Sequence, residues 1–562
     1  ANESREADRV KRDVPVMCVI GNPPYAVSSS NKGEWITELI KTYKQGLNER
    51  KINLDDDYVK FIRYGQHHID KTGEGILAFI TNNSFLDGPT YRQMRKSLLE
   101  SFDKIYILDL HGNARKRETC PDGSPDQNVF EIMQGVSINI FVKYPKDKRK
   151  TDLATVYHHD LYGTRDVKFD NLRKETLATT PWKQLNLSEP YYFFVPKDFE
   201  GLEAYENGFK VTECFPVYNS GIGTQQDTIT IHFTKESLQE LRQDFLNLDQ
   251  KTIRNRYPIK EGRNWKLVSA IDDLRSNDIP KAVSYRPFDT RWTYLSNKSN
   301  QFLARPRTDV MRHLIKSNYG LVFERGFVTK TSQAVFITNT PSDGHCIGPW
   351  SYMSPLYLYN DDNTAVIQPN LNPDIIQKLE SCLGIPFKDI PFQNSPDNSR
   401  FTALDLFDYI YAVLHSPDYR ERYKEFLKID FPRIPYPGSQ ESFRDLISHG
   451  TRLRNTHLLS DPSLDNRIIQ IHGDAEMIID KITHTIAPSG ESVTVHINKD
   501  ISISNIPITA WDFPIGGYIP AQKWLKDRKG RVLSRTDVIH YNKMINALAL
   551  THKIMESIKT WY

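Results

Sequence analysis

The sequence predicts two structural classes in series. The N-terminal part reads as α/β, the rear half of a doubly wound sheet. The remainder reads as α+β, with a mixed β-rich and then helical texture. Three observations carry this. An apolar run at 16–21 (Val-Met-Cys-Val-Ile-Gly) stops at Asn22-Pro23-Pro24-Tyr25. Further apolar runs of strand length at 75–80, 105–110 and 137–142 are interleaved with helical periodicity at 55–71 and 90–101. That alternation predicts a mostly parallel sheet with covered faces. From Tyr191 the chain turns to short strands, clustered aromatics and frequent Pro and Gly.

In chain order, residues 16–21 form a buried-type strand and 26–33 a polar, serine-rich loop next to it. Helices are expected at 35–51 and 55–71. The second begins with Asp55, Asp56 and Asp57, which suit the positive end of a helix, and repeats Tyr58, Phe61, Ile62 and Ile69 at helical spacing. The strand at 75–80 runs into Thr81-Asn82-Asn83-Ser84, and the strand at 105–110 runs into His111-Gly112-Asn113. The basic run 146–150 reads as a solvated connection. Domains are expected at 1–150 (part of a catalytic domain), 151–190 (linker), 191–400 (β-rich region) and 401–562 (mainly helical), with helices at 375–383, 404–415, 419–427, 441–453 and 535–559.

At 562 residues the chain is too long for one core. Its 39% hydrophobic and 25% charged residues are ordinary for a globular protein. A net charge of +3 means that a polyanionic partner would be met by local basic patches. Cys18, Cys120, Cys214, Cys346 and Cys382 have no CxxC spacing, which argues against a zinc site or disulfide framework and suits a reducing cytoplasm. No apolar run approaches 18 residues, and the charged start 1–13 lacks a signal-peptide apolar region, so a cytoplasmic protein is expected.

Asn22-Pro23-Pro24-Tyr25 is the candidate catalytic element. The Asn22 side-chain carbonyl accepts from an N–H, and Pro23 contributes a main-chain carbonyl but no N–H. Each proline pushes the preceding residue out of helical geometry, so the turn is stiff. Tyr25 offers a flat face for stacking a base. Two acceptors aimed at an exocyclic amino group draw its lone pair out of conjugation. A rigid strand-to-loop turn with no catalytic role is the alternative reading of the same four residues. Position after a strand favours the first, because ligands of open α/β sheets bind at the carboxyl ends of strands.

The tetrapeptide is the signature of amino-methyltransferases, and the chain resembles gamma-type adenine-N6 DNA methyltransferases of fused, single-polypeptide restriction–modification enzymes. The likeness extends to 56–63, 75–87 and 108–113 after the catalytic loop. It continues at 285–289, 305–307, 431–435 and 516–531, which are similar to the specificity region of such enzymes. The resemblance implies a Rossmann-like methyltransferase sheet, S-adenosylmethionine as cofactor, double-stranded DNA as partner, and methyl transfer to N6 of a flipped-out adenine. It also implies upstream methyltransferase, helicase or nuclease segments of the same polypeptide. In this family the glycine-rich cofactor turn precedes the catalytic loop, and there is no room for it ahead of the first strand. Gly221-Ile222-Gly223 lacks a strand–turn–helix setting and reads as a loop. The expectation is therefore a fragment carrying the target-base side of the pocket, with weak or absent cofactor binding.

Within that reading Asn22, Pro23, Pro24 and Tyr25 are catalytic and Phe85 is a candidate second wall for the base, with core packing as its alternative. DNA contacts are expected from arginine and lysine groups near aromatics: Arg291 with Arg286 and Trp292; Arg305, Arg307 and Arg312; and Lys523, Lys526, Arg528, Lys529 and Arg531. Intramolecular ion pairing is the alternative for each group, and Arg286 and Arg433, flanked by prolines and aromatics, read as structural. His67 and His68 read as ordinary helix histidines, not metal ligands. Two rival functions remain: a DNA-binding specificity module inactive alone, and an RNA or protein-amide methyltransferase.

Overall fold

The computed structural model describes residues 6, 9, 14–25, 29–47, 54–116, 118–148, 152–326, 334–360 and 367–559. The described residues fall into two compact units, Ala1–Asp198 and Phe199–Tyr562. Most of the charged start 1–13, residues 26–28 of the serine-rich loop, 48–51 of the first expected helix and 149–150 of the basic run lie outside the described residues.

The first unit is built on a six-stranded sheet. Its elements are β1 (Cys18–Gly21), α1 (Glu34–Lys44), α2 (Asp57–Thr72), β2 (Gly75–Asn82), α3 (Arg92–Ser101), β3 (Lys104–Asp109), β4 (Val136–Lys143), β5 (Thr155–Asp160), α4 (Arg165–Lys174) and β6 (Lys183–Gln184). The strand order is β1-β2-β4-β3-β5-β6. The α/β class stands, but the sheet is mixed, not mostly parallel. β1–β2 and β3–β5 pair in parallel, whereas β4 runs antiparallel to both β2 and β3, and β6 antiparallel to β5. The physical reason lies between β3 and β4, where no α-helix intervenes among the described residues. A parallel return needs a crossover, usually helical; without one the chain folds straight back.

Alternation along the strands decides the layers. Leu77, Phe79, Ile105, Ile107, Phe141 and Val156 face one side and pack with Ile40, Tyr43, Tyr58, Ile62, Met94 and Leu98 from α1, α2 and α3. Burying each such side chain is worth roughly 1.5–3 kcal/mol. Gly65 lets α2 lie close to the sheet, since a Cβ there would sit 2.5 Å from a Leu77 methyl. On the other side Ile80, Leu108 and Ile138 pack with Phe169 and Leu172 of α4.

The stretch 151–190, expected to be a linker, is instead part of this unit: β5 pairs with β3 over six residues, from Lys104↔Thr155 to Asp109↔Asp160, and α4 covers the second face. Its strand, Thr-Val-Tyr-His-His-Asp, carries too few aliphatic residues to stand out, although Val156 and His158 alternate inward. Tyr192 and Phe194 are buried in the same core, and Arg95 donates from Nε (2.8 Å) to the Tyr191 carbonyl.

The second unit contains an antiparallel sheet of β7 (Asn219–Ser220), β8 (Gly320–Phe323), β9 (Val335–Thr338) and β10 (Tyr352–Pro355), in the order β9-β8-β10-β7. Leu321, Phe323, Val335 and Ile337 pack against α5 (Ala403–His415) and α6 (Gln440–His457). Every residue of α5 is buried, and α6 approaches it at Gly450, where a Cβ would collide with the Asp408 carbonyl. The region 401–562, expected to be mainly helical, also holds a four-stranded antiparallel sheet: β11 (Gln470–His472), β12 (Thr483–Ile486), β13 (Ser492–His496) and β14 (Ser502–Pro507). Val493, Val495, Ile503 and Ile506 of that sheet pack against Tyr541, Ile545 and Leu548 of α7 (Arg535–Ser557). Among the described residues no helix is long and apolar enough to cross a membrane.

Candidate functional site at the carboxyl edge of the sheet

Because β1, β2, β3 and β5 all run the same way, their carboxyl ends share one edge. That edge carries Asn22-Pro23-Pro24-Tyr25 after β1, Asn82-Asn83 at the end of β2, Asp109 and His111 at the end of β3, and Asp160 at the end of β5. Asn22 is exposed, Pro23 is buried and Tyr25 is half-buried. The stiff turn therefore points its carboxamide outward. The Tyr25 hydroxyl lies 3.4 Å from Asn22 Oδ1, too long to occupy that oxygen firmly. The Tyr25 ring rests on two apolar clusters, one on each face of the sheet. Burial, and secondly Asp56, push its phenol up to about 12, so it stays neutral.

The chain beyond the turn is fastened to α2. Ser29 donates to Asp57 Oδ1 at 2.5 Å, and the buried Lys60 ammonium donates to the Asn31 carbonyl (2.6 Å) and pairs with Asp55 (2.8 Å). Asp55 and Asp57, read from the sequence as helix-capping residues, thus hold the loop after the turn, and Asp56 at the N-cap position makes no side-chain capping bond. His67 and His68 pack against Trp35 and Tyr64.

Further along the edge, polar groups interlock. Asn83 Nδ2 donates to Asp109 Oδ1 (3.0 Å). His111 has a left-handed backbone (φ 51°) and stacks on Tyr162 with ring centroids 3.8 Å apart. Its Nδ1 lies 2.9 Å from Glu118 and its Nε2 2.8 Å from Asp160. Burial alone would lower its pKa, but the hydrogen bonds to Asp160 and Glu118 and the charge of Asp109 outweigh it, raising it to about 10. Asp109, His111 and Asp160 are close enough to surround a metal ion. With both ring nitrogens bonded to carboxylates, the protonated imidazole itself supplies the positive charge there.

Beside this cluster lies a cavity of about 710 Å³ lined by Gly112, Ala114, Asp126, Asn128, Phe130 and Arg165, among others. Its frame is rigid. Asp126 accepts from the backbone N–H of Gly112 (2.6 Å) and of Gly163 (2.8 Å) and pairs with Lys168 (2.8 Å), both side chains fully buried. Gly112 (φ 78°) lies so close to the Asn128 backbone that no Cβ fits. Phe130 is half-buried, lines the cavity, and packs on the Leu110, Val129 and Val136 cluster that also supports Tyr25.

Phe85 is a correction. It is 0% exposed and packs between Tyr58 and Phe194, because the helical turn Ser84–Asp87 directs it into the core. Sequence reasoning missed Phe130, His111, Glu118 and Asp160. A signal was present in Leu-Asp-Leu-His-Gly and His-Asp-Leu-Tyr-Gly, two strands that each end in Asp followed by a turn.

In the second unit the basic candidates separate by ion pairing. Arg291 and Arg528 are corrections: at 8% and 7% exposure they are buried, both bonded to Asp289 (2.8 and 2.9 Å). A charge leaving water needs such a partner, which is why these two are not presented to solvent. Arg286 pairs with Asp343 (2.8 Å), and Arg433 donates to the Gly208 carbonyl (2.7 Å). Lys523 pairs with Asp527. Arg312, Lys526, Lys529 and Arg531 are exposed, the last over the Phe233 ring. Arg305 and Arg307 are half-buried and have no ion pair among the described residues.

Residues 213–557 match the family model of the Type ISP C-terminal specificity domain. The chain belongs to that family. Residues 12–115 match the Eco57I restriction-modification methylase model, so this specificity domain is preceded by a methylase-like segment. Solved structures agree in fold. The ATP-dependent Type ISP restriction-modification enzyme LlaBIII bound to DNA matches with a TM-score of 0.74 at 22% identity, over 100% of this chain and 38% of that one. A nuclease-deletion mutant of the Type ISP enzyme LlaGI, in complex with a DNA substrate mimic, matches at 0.70 and 22%, over 99% of this chain and 54% of that one. The DrdV–DNA complex matches at 0.74 and 19%, over 99% and 58%. The chain thus spans between 38% and 58% of the length of these proteins.

Proposed function

We propose that this chain carries the target-base side of a site-specific adenine-N6 DNA methyltransferase of a restriction–modification enzyme, joined to the domain that recognises its DNA sequence. The observation that carries the reading is the outward-facing Asn22 carboxamide at the carboxyl edge of the sheet, beside the half-buried Tyr25 ring. A paired, stacked adenine must first leave the duplex. Its amino group then donates one N–H to Asn22 Oδ1 and the other to the Pro23 main-chain carbonyl. These bonds twist the nitrogen out of conjugation and make its lone pair available, with Tyr25 stacked on the ring and Phe130, in place of Phe85, as the aromatic side chain of the neighbouring cavity. The DNA-bound states of LlaBIII and DrdV, and LlaGI with its DNA substrate mimic, support duplex DNA as the partner.

The methyl donor that the methylase family implies is S-adenosylmethionine. The described residues do not fit a cradle for it. Gly221-Ile222-Gly223 follows β7 but is bridged to Asp343 and Arg305, and the helix after it is only the four residues Asp227–Thr230, separated from the last glycine by three residues. The residues above account for the acceptor side of the reaction alone. That same observation favours a second reading, a specificity module inactive by itself.

Methylation of duplex DNA by the full polypeptide, followed as N6-methyladenine, separates the two. The first reading expects the product with the parent and its near-complete loss in Asn22→Ala with DNA binding kept. N6-methyladenine formation by the full polypeptide that survives Asn22→Ala, with sequence-specific DNA binding by this chain, supports the second reading, and methylation of tRNA or a protein amide in place of DNA rejects both.

A further inference from the structure

Two neighbouring loops of the second unit hold side-chain-bearing residues in a backbone conformation that costs energy. Gln225 has φ 59° and Arg307 φ 56°, the left-handed region that side chains other than glycine avoid. Strain of this kind persists where the surroundings enforce it, and it concentrates at ligand-contacting positions. The enforcement is visible. Gly223 and Arg305 exchange both backbone hydrogen bonds (2.9 and 2.8 Å), Ile222 donates to Ser342 (2.8 Å), and Gly344 donates back to Ile222 (2.8 Å). On the far side of Gln225, the buried Gln226 side chain donates to the Lys260 carbonyl. Gln225 itself is exposed, and its amide makes no hydrogen bond among the described residues. The stem of Arg305 lies over Gly223, two residues before it.

The arginines beside it are unusual in the other direction. Arg307 has a buried Nε with no hydrogen-bond partner. Burial, and then the charge of Arg305, hold its pKa below the ordinary guanidinium value. Asp309, the carboxylate whose charge acts on it, already accepts from Asn219 Nδ2 (2.8 Å). Neither Arg305 nor Arg307 has an ion pair among the described residues, and an anion such as a phosphate would supply one. Gln225 lies two residues beyond Gly223, whose backbone is bonded to Arg305, and its exposed primary carboxamide has the donor–acceptor pattern that reads an adenine edge in the major groove.

We propose that Gln225 is a specificity-determining residue that reads one base edge of duplex DNA, with Arg305 and Arg307 gripping the adjacent phosphate backbone. This rests on the reading of the second unit as the DNA-recognition domain and deepens it. The full polypeptide is offered a library of randomised duplexes, and the bound sequences of the parent, Gln225→Ala, Gln225→Gly and Arg307→Ala are compared. Glycine suits the left-handed backbone, so Gln225→Gly removes the amide without new strain. The expected result is a parent motif in which both Gln225 variants lose about tenfold or more discrimination at one position and keep the rest. Arg307→Ala is expected to weaken all sequences alike and to make the salt dependence shallower by about one counter-ion. A parent motif unchanged in both Gln225 variants overturns the inference alone. A parent that enriches no motif overturns the DNA-recognition reading, and this inference with it.

Discussion

Lys168 Nζ and Asp126 Oδ1 meet at 2.8 Å with neither side chain reaching solvent, and between them they tie α4, the loop after β3 and the loop after β5 into one frame. Lys168 also donates to the carbonyls of Leu110 (2.7 Å) and Gln127 (2.6 Å). The pair is saturated on both sides, which is the condition under which a buried charge pair is tolerated.

Removing only the cation should be severe. Lys168→Met leaves Asp126 buried and uncompensated and is expected to cost about 3–5 kcal/mol. Urea unfolding followed by tryptophan fluorescence would measure it. A loss below about 1 kcal/mol would show that water reaches the carboxylate.

His111 makes the first unit pH-dependent on the alkaline side. Its folded pKa is raised to about 10, above the ordinary histidine value, so its contribution is complete below about pH 6.5 and is lost as pH rises through 10. The unfolding midpoint of the parent should fall between about pH 7 and 10. His111→Gln should start lower and show a flatter slope, and parallel slopes would contradict the assignment.

Asn22→Ala removes one positioned acceptor and should lower the rate of methyl transfer by the full polypeptide by about 10²–10³, on the scale of losing a single group that stabilises the reacting centre. Asn22 is exposed, so stability should change little. A stability loss matching the activity loss would mean a structural turn.

The two phenylalanines should part ways. Phe85→Ala opens a hole in the core and should destabilise by about 3–5 kcal/mol. Phe130→Ala should leave the fold intact and weaken binding of duplex with an extruded or mismatched adenine by about 1–3 kcal/mol, the worth of one base–aromatic stack. Thermal unfolding and fluorescence-detected base extrusion distinguish them.

Local pattern made the first unit legible as far as strands announce themselves. Val19 and Ile20 before Asn22, and Leu77 and Phe79 before Asn82, stand out as apolar runs. β5 did not, because two of its six residues are histidines and its pairing with β3 is a long-range fact. The direction of β4 was hidden for the same reason, since periodicity is blind to which way a strand enters a sheet. Charge was the least legible property: Arg291 and Arg528 look in sequence like Arg305 and Arg307, and only the position of Asp289 separates them.

β4 supplies every backbone ladder that joins the β1–β2 pair to the β3–β5 pair. During synthesis β1 and β2 can pair early, but β3 has no neighbour until β4, ending at Lys143, has emerged, and β5 (Thr155–Asp160) joins β3 only after that. The pocket-forming edge is therefore a late product of folding. Chaperone capture of nascent chains should be greatest while that central slot waits to be filled.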